Sequence, residues 1–198
     1  LKLDVTDEKQ IGATFDQVEA EIGDVAVLVC AAGVMIVPQD RPPGLSELTT
    51  EGWDTTFAVN LRGPFFCVRE MLKRRLHRPL AEGRIVLISS TAGQTGGTRG
   101  GADYAASKAG IISLTKSAAR EGATIGMTVN NIAPGPIETP LFRSVVAPGM
   151  EQPMLDMMPV GRMGRPDEIA DMIAYLVSEK GAFITGSTVD VNGGYRMQ

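Results

Sequence analysis

Apolar and polar positions change period repeatedly along this chain. Ile11, Phe15, Val18 and Ile22 recur at helical spacing behind Thr6-Asp7-Glu8, which offers a capping residue and acids for a first turn. Gly23-Asp24 ends that helix. Val25 to Cys30 is a continuous apolar run, the pattern of a strand covered on both faces. Similar runs span Arg84 to Ser89 and Met127 to Ala133, the latter stopped by Pro134-Gly135-Pro136. Leu1 to Val5 reads as a short first strand and Ser187 to Val191 as a last one. A helix capped by Thr50 runs through Trp53 and Phe57 to about His77, with Gly63-Pro64 expected to bend or interrupt it. A second long helix runs from Ala102 to Gly122. A third opens at Pro166-Asp167-Glu168 and shows an apolar face of Ile169, Met172, Ile173 and Leu176. Pro38, Pro42, Pro43 and Gly44 make an aperiodic loop, and the methionine- and proline-rich Leu141 to Met163 has no clear repeat.

Strands alternating with helices call for a parallel sheet with helices on both faces, an α/β doubly wound sheet. The 198 residues are read as one domain, 1–198. Composition removes several function classes. With 19 basic and 23 acidic residues the net charge is −4, and there is no basic face for nucleic acid. The short run Lys73 to Arg78 suits a solvated helix end. Cys30 and Cys67 lie in apolar surroundings and read as buried free thiols, which fits a reducing cytoplasm. One histidine and two cysteines are too few for a Cys/His zinc site, so no metal is expected. No apolar run reaches the ~18 residues of a membrane span, and no signal segment opens the chain.

Candidate chemistry centres on Asp103-Tyr104-Ala105-Ala106-Ser107-Lys108. Tyr104 and Lys108 are four apart and share a helix face. A phenol normally holds its proton to pH ~10. A neighbouring ammonium favours the phenolate, and a tuned tyrosine can act as general acid or base. Other signatures fail. No Gly-x-Gly-x-x-Gly, Walker loop or Gly-x-Ser-x-Gly elbow occurs. Gly93 to Gly101 follows a strand but reads as a flexible loop. Ser113-Leu114-Thr115-Lys116 matches a serine acyl-enzyme motif yet lies mid-helix without partner motifs. Ser89, Ser90, Glu138 and Thr139 sit at strand ends that share a rim with the Tyr104 helix, and Asn60 is a polar residue in the apolar run Phe57 to Leu61.

These segments, taken together, resemble the short-chain dehydrogenase/reductase family. The resemblance rests on Asp4-Val5, Val59-Asn60-Leu61, Ile85 to Ser90, Tyr104 to Gly110, and Val129-Asn130 leading to Pro134-Gly135-Pro136-Ile137-Glu138-Thr139. It continues through Pro159 to Arg162, Gly164 to Ala170, and the tail from Ile184 to Gly194. It implies a Rossmann-type fold and NAD(P)-dependent interconversion of a carbonyl and a secondary alcohol. Tyr104 would be the general acid/base. Lys108 would lower its pKa and hold the nicotinamide ribose. Ser90, rather than Ser89, would bind the substrate oxygen, and Asn60 would anchor a water. The cofactor, NAD or NADP, would meet Asp4 and Val5 at its adenine and Cys30, Ala32 and Gly33 beyond the next strand. Pro134, Gly135, Ile137 and Thr139 would meet it at the nicotinamide end. The Ser90–Tyr104 gap is one residue longer than the family's usual spacing.

The resemblance also carries departures. Cys30-Ala31-Ala32-Gly33 stands where the family shows Asn-Asn-Ala-Gly. The family's opening strand and Thr-Gly-x-x-x-Gly-x-Gly turn, and the strand that selects NAD or NADP, precede what is here. The sequence is therefore expected to belong to a longer protein whose opening is disordered, cleaved or deleted, leaving a sheet edge bare. A catalytically inactive binding or regulatory module is the alternative. The family's assembly implies a homotetramer, or a dimer, through the helices Thr50 to His77 and Ala102 to Gly122. Leu141 to Met158 corresponds to its lid. Met150, Met154, Met157 and Met158 either cover an apolar ketone or acyl substrate or fill gaps against a neighbouring subunit.

Overall fold

The computed structural model describes residues 1–37, 43–97 and 101–197. Pro38, Pro42 and the middle of the Gly93 to Gly101 segment lie outside the described residues. Asp7 caps helix α1 (Glu8–Glu21), accepting from Lys9 N and Gln10 N at 2.9 and 3.2 Å. Strand β1 (Val27–Cys30) leads to α2 (Thr50–Phe57), whose cap is Thr49. The helix widens into a π turn over Ala58–Arg62 and continues as α3 (Gly63–His77). The interruption expected at Gly63-Pro64 thus falls one turn upstream. Proline has no N–H to give the carbonyl of Asn60, four residues before it. Strand β2 (Arg84–Ile88) is followed by α4 (Thr91–Thr95) and α5 (Ala102–Ala123). Strand β3 (Thr128–Pro134) is followed by short helices α6 (Pro140–Arg143) and α7 (Gln152–Leu155), then α8 (Pro166–Val177) and β4 (Thr188–Val191).

The four strands are parallel, in the order β1-β2-β3-β4, with Leu28 beside Ile85, Val86 beside Asn130 and Ala133 beside Asp190. Alternate residues point to opposite faces. Ile85, Leu87 and Val129 pack with residues of α1, α3 and α5, including Ile11, Met71 and Ile111. Val86 and Ile132 pack with Leu176, Ile169 and Ile173 of α8. The helices α1 and α3 are also joined by Glu19, whose buried carboxylate meets Arg74, Arg75 and Arg78.

Two expectations change. Leu1 to Val5 forms no strand. It pairs with no strand among the described residues, and Leu1 is 78 % exposed. Its last residues turn instead, with Thr6 N and Oγ1 donating to the Asp4 carboxylate at 2.9 and 2.8 Å. Strand β1 is not covered on both faces, since Val27 and Val29 are 44 % and 39 % exposed. It lies at the edge of the sheet, and α3 packs against it. Among the described residues no helix is long and apolar enough to cross a membrane.

Candidate active site

The carboxyl ends of β1, β2 and β3 open onto one cleft of about 480 Å³. Each wall has a local cause. The Ser90 hydroxyl ends β2 and caps α4, accepting from Ala92 N at 3.1 Å. Pro134 ends β3, and Thr139 caps α6 through Phe142 N at 3.1 Å. Helical spacing on α5 turns Tyr104 and Lys108 to the same side.

The Tyr104 phenol and the Ser90 hydroxyl face each other in this cleft and interact. Burial pushes its pKa above the ordinary tyrosine value, and the Ser90 contact pulls the other way. The expected depression by Lys108 does not prevail. Lys108 is itself buried, and burial pulls its pKa down to about 8. Its Nζ donates to the Ile88 carbonyl at 3.0 Å and lies 5.7 Å from the Tyr104 ring centroid. Ser89 differs from its neighbour: its hydroxyl is shared between Asn131 Oδ1 and the Ile132 carbonyl, at 2.5 and 3.0 Å. Of the two serines, Ser90 is the one beside the phenol.

Tyr104, Lys108, Ser90, Gly33, Pro134, Gly135, Ile137 and Thr139 all line this cleft. Five other candidates are not among its lining residues. The Asn60 amide is fully buried and clamps the chain after β1. Its Oδ1 accepts from Val34 N, and its Nδ2 donates to the Val34 carbonyl, both at 2.8 Å. Cys30 turns its thiol into the core against Cys67. The hydrogen bond to Cys67 and then burial raise the Cys30 pKa. Both cysteines are free. Ala32 is exposed, Asp4 is engaged with Thr6, and Val5 rests on Gly63, where a Cβ would meet the Val5 carbonyl at 2.9 Å. The sequence reading missed Met35, Ile88, Ile169, Ile173 and Tyr195, which also line the cleft. They come from four separate segments and carry no local signal.

The residues present suit the nicotinamide half of a dinucleotide. Among the described residues the Lys108 ammonium donates to the Ile88 carbonyl, and its other protons can serve ribose hydroxyls. A Cβ at Gly33 would stand 3.5 Å from both Lys108 Nζ and Asn60 Oδ1, so the bare backbone keeps the space before the ammonium open.

A family model described as enoyl-(acyl carrier protein) reductase matches residues 1–196. The 3-oxoacyl-(acyl-carrier-protein) reductase FabG of Escherichia coli is 40 % identical over 201 residues, covering 100 % of this chain and 77 % of the relative. The chain belongs to the short-chain dehydrogenase/reductase family. Another relative, the acetoacetyl-CoA reductase of Shinella zoogloeoides, is 38 % identical over 193 residues, covering 98 % of this chain and 77 % of that protein. The crystal structure of a 3-oxoacyl-(acyl-carrier protein) reductase from Brucella melitensis with bound NAD superposes with a TM-score of 0.87. It is 32 % identical and covers 98 % of this chain and 70 % of the other. This member of the family is an NAD(P)-dependent oxidoreductase acting on C=O and CH–OH groups.

Proposed function

We propose that this reductase converts the 3-oxo group of an acyl thioester to a secondary alcohol, with Tyr104 as the proton donor. The observation that carries the reading is the contact of the Tyr104 phenol with Ser90 beside the buried Lys108 in one cleft. The names of the two curated relatives support the substrate class. So does the cleft wall, where Leu141, Phe142, Val145, Val146 and Met154 present an apolar surface. Lys108 is the single charged side chain among the described lining residues, which favours a neutral substrate.

Ser90 orients the carbonyl oxygen and Tyr104 protonates it as negative charge develops there. Lys108 lies close enough to favour the phenolate left behind. When bound, the nicotinamide supplies the hydride. Lys108 and the bare backbone of Gly33 would hold its ribose, Ile137 and Thr139 would meet its carboxamide, and Pro134 and Gly135 would complete the cofactor site. Asn60 shapes this end by fixing Val34. Asp4 and Val5 would meet the cofactor's adenine, and backbone groups of Cys30 and Ala32 would meet the cofactor after β1. The protein works in the cytoplasm as a homotetramer, or a dimer, built on α2–α3 and α5.

The test is NADH and NADPH oxidation by the purified protein across 3-oxoacyl thioesters and unrelated ketones. Turnover lost in Tyr104→Phe supports the mechanism. Full activity in Tyr104→Phe overturns it, and activity confined to ketones lacking a thioester overturns the substrate class.

A further inference from the structure

Two buried polar rungs tie α2 and its π turn to α5. Thr56 Oγ1 donates to Asp103 Oδ2 at 2.6 Å, and Asn60 Nδ2 donates to Ser107 Oγ at 3.2 Å. Thr56, Asn60 and Ser107 are fully buried, and Asp103 is 2 % exposed. Each rung joins residues 47 apart in sequence. Thr56 and Asn60 are four apart on one side, and Asp103 and Ser107 four apart on the other. Tyr104 and Lys108 keep the same interval, and each directly follows a rung residue. A rung residue therefore lies about 100° of helix rotation from each reacting side chain. The Ser107 hydroxyl also donates to the Tyr104 carbonyl at 2.7 Å.

We propose that Thr56 and Asp103 are a positioning pair for the reaction, fixing the rotation and depth of the first turn of α5 so that the Tyr104 phenol meets Ser90. The inference rests on the Tyr104 mechanism above. Apolar contacts alone hold a helix but set its rotation weakly. A buried hydroxyl-to-carboxyl hydrogen bond is short and directional, and breaking it leaves a buried polar group without its partner. The start of α5 has particular need of such a fix, since its cap residue Gly101 makes no side-chain capping bond. An acid in a first turn often serves only the helix dipole. Asp103 instead takes a buried hydroxyl from another helix.

Thr56→Val removes the donor and keeps the shape, and Thr56→Ser restores the donor. Thr56→Val is expected to lower kcat about tenfold or more with the ketone KM within about twofold, and Thr56→Ser to recover kcat to within about twofold. A second readout needs no turnover: titration of the Tyr104 phenol by carbon-13 NMR in the cofactor-free protein. Its midpoint is expected to move in Thr56→Val and to stay at the wild-type value in Thr56→Ser. Wild-type kcat and titration in Thr56→Val overturn the pair, as does equal impairment of the valine and serine variants. Should Thr56→Val fail to fold, Asp103→Asn keeps an acceptor and is expected to retain kcat where Asp103→Leu loses it; equal kcat in those two also overturns the pair. If the wild-type protein reduces no ketone, the Tyr104 mechanism falls, and the phenol titration alone decides the pair.

Discussion

Lys108 Nζ stands 5.7 Å from the centroid of the Tyr104 ring while donating to the Ile88 carbonyl at 3.0 Å. The carbonyl fixes the ammonium in place, and burial makes its charge unfavourable there. Burial thus lowers the Lys108 pKa to about 8, at some expense of stability.

Removing the phenol hydroxyl tests the chemistry without disturbing the fold. Tyr104→Phe is expected to lower kcat by about 100- to 10,000-fold while thermal stability changes little. Steady-state kinetics and a melting curve on the same sample check this.

Lys108 makes a second prediction with a sign. Its pKa falls from the ordinary 10.5 to about 8 through burial. The unfolded chain therefore binds the proton more tightly, and the folded state carries a penalty that is full below about pH 8 and fades as pH rises toward 10.5. The shift corresponds to roughly 3 kcal/mol. Lys108→Met is expected to lose activity yet melt at higher temperature than wild type at neutral pH. The gain should more than halve by about pH 9.5. A melting-temperature difference that stays constant with pH would contradict this account.

The Glu19 cluster predicts the opposite pH trend. Burial opposes the Glu19 charge, but hydrogen bonds from Arg74 and Val25 N and the charges of Arg75 and Arg74 win, so its pKa is lowered from 4.5. A carboxylate lowered in the folded state stabilises above its unfolded pKa and loses that contribution as pH falls through its folded one. Glu19→Gln leaves Arg75, whose side chain is 1 % exposed, without its closest anion. It is expected to cost about 3 kcal/mol or more at pH 7. Urea unfolding should show that deficit shrinking below about pH 4.5.

Gly33→Ala separates binding from folding. The added Cβ makes ordinary contacts at 3.5 Å, so the protein is expected to fold normally. The methyl would occupy the space before Lys108, and NADH and NADPH affinity is expected to fall about tenfold. Fluorescence titration of the cofactor reads the loss, and wild-type affinity would remove Gly33 from the cofactor site.

Much of the frame was legible because it is written in local periods and caps. The runs in β2 and β3, the apolar face of α8 and the proline-plus-acid start at Pro166 each declare an element within a few residues. The spacing of Tyr104 and Lys108 was legible for the same reason, since four residues on a helix make one face. Ser90 could be set beside the phenol through the family pattern of its neighbours.

What the sequence left open depends on layers and partners. Val27 and Val29 read as buried, but burial requires something packed on both faces, and β1 is the edge strand. Leu1 to Val5 has strand-like residues but no ladder partner among the described residues. The family pattern assigns Cys30 to the cofactor, yet the Cys30 thiol faces Cys67 in the core. Thr56 and Asp103 lie 47 positions apart, and only the packing of α2 on α5 makes them partners. By itself the sequence determined most of the elements, the parallel sheet and the shared face of Tyr104 and Lys108, through short-range spacing and family pattern. The tertiary structure decided which groups are desolvated and which buried polar groups of α2 and α5 meet, because these depend on contacts between segments distant along the chain.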